Sequence, residues 1–175
     1  MIDLSFQLPI ALALSLLLIS SGLHKLRTIP RFKASLSAYD LLPAAVLAPA
    51  ARMIPAAELL IGGSLLIPPT WPVSGPVSAA LLGLYALAMG LNLARGREHI
   101  DCGCGDKPQP LSLMLVFRNL LLCAAGLLVG SPGIPRDLGI FDLIIVAMAV
   151  ATLALTYIAF EQLSRNALGL KQWRN

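Results

Sequence analysis

Two cysteines separated by one glycine, in the run Asp101-Cys102-Gly103-Cys104-Gly105-Asp106, stand in a short polar segment between long apolar stretches. Residues two apart can bring their Cα atoms within the roughly 4.4–6.8 Å a disulfide needs, and the intervening glycine permits the bend. So small a ring is strained, and strained, exposed disulfides are the labile ones that exchange with other thiols. Arg95, Arg97, Lys107 and His99 are placed to lower a thiol pKa, whereas Asp101 and Asp106 oppose that. A second reading makes His99, Cys102 and Cys104 ligands of a soft metal such as zinc, although three ligands within six residues leave the set incomplete. A third leaves the cysteines reduced and without a task in a reducing compartment. Cys123 lies about 18 Å into the following apolar stretch, too far to join either set, and reads as a small core side chain.

The elements that hold this segment are membrane spans. Hydrophobic residues make up 57% of the 175, charged residues 13%, and the mean hydropathy is +0.80, outside the range of soluble domains. Five stretches reach the roughly 20 residues that cross a bilayer core: 6–26, 49–67, 75–94, 111–130 and 138–160. They are too long and continuous for barrel strands, so the expected fold class is all-α, a polytopic membrane protein in one domain spanning 1–175. Four helices should form a bundle core with one peripheral. The first stretch has Asp3 and no basic residue ahead of it, nor a small-residue cleavage site behind it, so it is expected to be a retained span and not a signal peptide.

Lysines and arginines collect in the first connection (Lys25, Arg27, Arg31, Lys33), the third (Arg95, Arg97, Lys107) and the tail (Arg165, Lys171, Arg174). The positive-inside rule then predicts an external N-terminus, with the C-terminus and the cysteine segment cytoplasmic. That asymmetry also accounts for the net charge of +4, so no nucleic-acid partner is implied and no nucleic-acid motif is present. Between the first two spans, Pro30 can open a helix in which Phe32, Leu36 and Tyr39 share a face, a pattern expected of a short amphipathic helix in the membrane interface. Pro49 could begin the second span, with Pro55 in its interior.

Ionisable residues inside the spans are costly and mark positions of consequence. Glu58 lies about 13 Å from the polar end of the second span and Arg118 about 10 Å from the same end of the fourth, depths that allow an ion pair between them. His24, Asn92 and Asn119 sit toward that end too, which defines a candidate polar pocket of His24, Glu58, Asn92, Arg118 and Asn119. The same residues could serve only as polar glue between helices. Gly126 and Gly130 have the small-xxx-small spacing of close helix packing.

Several of these pieces occur in an order that resembles the MauE family of methylamine utilisation membrane proteins, themselves similar to DoxX-like redox-associated proteins. The resemblance rests on Ser21-Gly22-Leu23-His24-Lys25-Leu26-Arg27, Arg31-Phe32 through Tyr39, Leu41-Leu42-Pro43 and Glu58. It continues through Asn92-Leu93-Ala94-Arg95-Gly96-Arg97, Asp101 to Gly105, Leu111-Ser112 and Arg118-Asn119, covering roughly residues 14–125. Family members often carry an aromatic residue after the second cysteine, where this chain has Gly105 and Asp106.

What the resemblance implies is a bacterial cytoplasmic-membrane protein that helps mature methylamine dehydrogenase, whose exported small subunit is rich in disulfides and carries a quinone made from its own tryptophans. A thioredoxin-like protein of the MauD type is the implied partner, with Cys102 and Cys104 as the redox pair. Charge counting puts that pair inside, while the client is outside. Either electrons are relayed outward or the charge rule misleads here; a membrane quinone could carry electrons, but no residue pattern marks a site for one. The competing expectation is a scaffold or small-solute carrier built on the Glu58 and Arg118 pocket.

Overall fold

The computed structural model describes residues 2–97, 99–100, 110–134 and 139–173; the segment 101–109, with Cys102 and Cys104, lies outside them. Six helices follow in chain order: α1 (Leu4–Arg27), α2 (Ile29–Tyr39), α3 (Ala44–Ser64), α4 (Trp71–Ala94), α5 (Leu113–Gly130) and α6 (Ile140–Trp173). All but α2 are long and apolar enough to cross a membrane, so the protein is a multi-pass, all-α membrane protein. Among the described residues the extended structure is one parallel pairing of Ile2–Asp3 (β1) with Gly133–Ile134 (β2), which joins the start of α1 to the end of α5.

Most span limits fall where hydropathy puts them, with two departures. The second span begins at Ala44, not near residue 49, because Pro43 in extended backbone starts the helix. Pro49 and Pro55 are therefore both interior. α6 runs on to Trp173, well beyond the apolar stretch. α2 is the expected short helix, opened by Pro30 and ended at Asp40, whose φ of 53° is left-handed.

Helix neighbours form a closed ring in the order α1, α3, α4, α5 and back to α1, while α6 packs mainly on α1 with its span almost wholly exposed. This is the expected four-helix core with one peripheral helix. Apolar attraction is weak between helices in lipid, so small residues and polar contacts must hold the ring. On the α1–α3 seam, the Ser15 hydroxyl donates to the Gly62 carbonyl at 2.7 Å, and Gly22 sits so close to α3 that a Cβ there would lie 2.9 Å from the Pro55 carbonyl oxygen. On the α4–α5 seam, Gly75 meets Gly126 and Gly130 backbone to backbone. The expected packing role of Gly126 and Gly130 is thus found, with Gly75 as their counterpart. Gln7 of α1 closes the ring at the same end, its side-chain amide donating at 2.8 Å to the Ser131 carbonyl just past α5.

Candidate functional site

The buried stripe of α1 contains Ala11, Leu18 and Lys25, seven residues apart each time, so the face that packs into the bundle ends on a lysine. Helical side chains lean toward their own N-terminus. α1 and α3 are antiparallel, so Lys25 leans into the bundle while Glu58 of α3 leans back toward the polar end, and the two meet. Lys25 Nζ stands 2.5 Å from Glu58 Oε1, with both side chains almost fully buried. The Tyr85 hydroxyl, from α4, donates to the same carboxylate oxygen at 2.7 Å, and the Ser21 hydroxyl donates at 3.3 Å. Lys25 Nζ also donates to the Tyr85 oxygen at 3.4 Å. Its ammonium lies 4.7 Å from the centroid of the Tyr85 ring and 5.1 Å from that of Phe32, which α2 contributes. All the donors converge on Oε1; Glu58 Oε2 is buried and has no hydrogen-bond partner among the described residues.

The partner of Glu58 is therefore Lys25 and not Arg118. Matching depth along the membrane does not settle adjacency in its plane: α3 and α5 lie diagonally across the ring, separated by α1 and α4. Arg118 turns instead to α6, where its guanidinium carbon is 5.6 Å from the centroid of the Tyr157 ring. Asn92 and Asn119 are buried, and each side-chain amide donates to the carbonyl four residues earlier, Ala88 at 3.1 Å and Leu115 at 2.9 Å. Asn92 Oδ1 has no partner among the described residues. His24 is half-buried, and its carbonyl accepts from the Thr28 hydroxyl at 2.9 Å.

The expected pocket thus separates into a Glu58 cluster on α1, α3 and α4 and residues that bond within their own helix or toward α6. Lys25 and Tyr85 are members that sequence reasoning passed over. Lys25 counts in sequence as a cation of the first connection that closes α1 beside His24, although its seven-residue spacing from Leu18 puts it on the buried face. Tyr85 had no distinguishing signal among the apolar residues of α4. For the metal alternative, His99 is exposed and its two cysteine co-ligands lie outside the described residues. Within the described residues no group of three or more His, Cys, Asp or Glu could hold a metal ion. Cys123 is a half-buried free thiol packed in the apolar core.

Fold and site together define a multi-spanning helical membrane protein with a buried carboxylate and ammonium joined by the phenol of a half-buried tyrosine where α1, α3 and α4 meet. The family model for "Methylamine utilisation protein MauE" matches residues 4–131, and the chain belongs to that family. Among its relatives, the methylamine utilization protein MauE of Methylorubrum extorquens is 39% identical over 149 residues, 82% of this chain and 80% of the relative. That of Methylophilus methylotrophus is 35% identical over 155 residues, 86% and 82% respectively. That of Paracoccus denitrificans is 34% identical over 124 residues, 70% of this chain and 66% of the relative. No solved structure matches the chain.

Proposed function

We propose that this protein acts in methylamine utilisation as a thiol-disulfide component of the bacterial cytoplasmic membrane, assisting disulfide formation or isomerisation in the small subunit of methylamine dehydrogenase. Its partner in this reading is a thioredoxin-like protein of the MauD type. The observation that supports the reading is the family match, whose bounds, residues 4–131, take in Cys102 and Cys104. The chemistry needs only that pair. The thiolate of one cysteine attacks a sulfur of the partner's disulfide, forming a mixed disulfide and releasing the other partner sulfur as a thiolate. The second cysteine then attacks the mixed disulfide, so that two electrons leave the Cys102–Cys104 pair and the partner departs as a dithiol.

The Cys102→Ser/Cys104→Ser double variant, expressed in place of the wild type in a methylamine-grown host, is expected to leave the dehydrogenase small subunit with mispaired disulfides and without activity. Thiol trapping and mass spectrometry of that subunit measure the outcome, and normally paired cysteines in the double variant would sink the proposal. The excess of Lys and Arg in the first and third connections supports a cytoplasmic face for the pair. A membrane-impermeant maleimide should accordingly label Cys102 and Cys104 in opened but not in intact spheroplasts. Labelling of intact spheroplasts would instead put the pair on the client's side and remove the need for an electron relay.

A further inference from the structure

The surroundings of the Lys25 ammonium are those of a primary-ammonium receptor. A buried carboxylate, a phenol oxygen and two aromatic faces surround one nitrogen, the combination by which proteins recognise alkylated ammonium ligands. The set is not exhausted by its occupant. A primary ammonium has three N–H donors and a carboxylate has two accepting oxygens, yet all the donors gather on Oε1 and leave Oε2 buried and without a partner among the described residues. An acceptor left without a donor in a buried site is costly, and a ligand that supplies one removes that cost.

Lys25 reaches the cluster from the end of α1, leaning in along its own helix, and a tethered ammonium bonds the oxygen its stem allows. A free ammonium of the same charge has no such restriction and can bridge Oε1 and Oε2, with its alkyl group against the Phe32 and Tyr85 rings. Exchange of one for the other keeps the buried site neutral, the condition that burying Glu58 imposes.

We propose that Glu58, Tyr85 and Phe32 form a binding site for a small primary alkylammonium ion, and that Lys25 is its tethered resting occupant. This ligand site does not depend on the thiol-disulfide reading, and either can fail while the other stands. Shortening Lys25 to alanine empties the site and leaves Glu58 without a counter-ion, so a free ammonium should take its place.

The test is thermal unfolding of the purified protein in detergent, titrated with methylammonium chloride against tetramethylammonium and potassium chlorides at equal ionic strength. Lys25→Ala should be stabilised saturably by methylammonium alone, at a half-saturating concentration at least tenfold below that of the wild type. Glu58→Gln should show no saturable response. Should Lys25→Ala fold only when methylammonium is present during purification, that rescue supports the site. Should it fail to fold with or without the ion, the wild-type titration decides: a saturable methylammonium response absent from Glu58→Gln supports the proposal. An equal response to potassium, or no wild-type response at a hundred times the concentration that saturates Lys25→Ala, would overturn it, as would a flat wild-type titration where the variant does not fold.

Discussion

Replacing Glu58 by alanine should destabilise the bundle by about 3–5 kcal/mol, because it strands the buried Lys25 ammonium with no opposing charge. The loss has more than one source. The Tyr85 and Ser21 hydroxyls lose the acceptor they share, and each donor left unsatisfied away from water adds to the penalty. The double substitution Lys25→Met/Glu58→Leu removes both charges, keeps comparable volume, and should recover most of the stability. Unfolding by graded SDS in mixed micelles measures all three proteins on one scale. A double variant as unstable as Glu58→Ala would show that the pair does more for the fold than neutralise itself. A single variant within about 1 kcal/mol of wild type would mean that water reaches the site and that its burial is not what the geometry says.

The second large effect lies at the opposite end of the bundle. A Cβ on Gly75 would stand 2.4 Å from the Gly130 nitrogen and 2.7 Å from the Gly126 carbonyl oxygen. Both obstacles are backbone, so neither can swing aside as a side chain would. Gly75→Ala should therefore force α4 and α5 apart and cost about 1–3 kcal/mol, and bulkier residues should cost more. Gly90 lies on the same helix with open space around the corresponding position. Gly90→Ala should be neutral or should stabilise slightly through its better helix propensity. The same SDS titration separates them, and equal behaviour of the two variants would show that the Gly75 contact does not limit how closely the helices approach.

Hydropathy is enough to find the five spans, because each must satisfy its own backbone in lipid and so declares itself in sequence, whereas proline placement misses the start of the second, at Ala44 and not Pro49. Helix adjacency was less legible. Glu58 and Arg118 share a depth, and depth is a one-dimensional quantity computed from 1.5 Å per residue. Whether two spans are neighbours or diagonal is decided by contacts such as Gly22 on Pro55 and Gly75 on Gly130, which depend on pairs of helices rather than on either alone. Once α1 and α4 separate α3 from α5, the lysine that ends the buried stripe of α1 becomes the cation within reach of Glu58. Tyr85 was the least legible member, since only its hydroxyl distinguishes it from the apolar residues around it, and that hydroxyl becomes informative only when its acceptor is known. The expectations that rest on Cys102 and Cys104 fall in the one connection that lies between α4 and α5.

The Gly75 contact also gives this connection a mechanical setting. α4 and α5 touch backbone to backbone at the end remote from the cysteine segment, and from Gly75 to Ala94 the helix extends about 28 Å. The near end is held as well: Met89 of α4 and Leu115 of α5 are buried there with Leu111, whose N–H donates to the Ile100 carbonyl at 3.2 Å. Clamped at both ends, α4 and α5 hold their spacing as one stiff pair, and the connection between them starts and finishes on anchored helix ends.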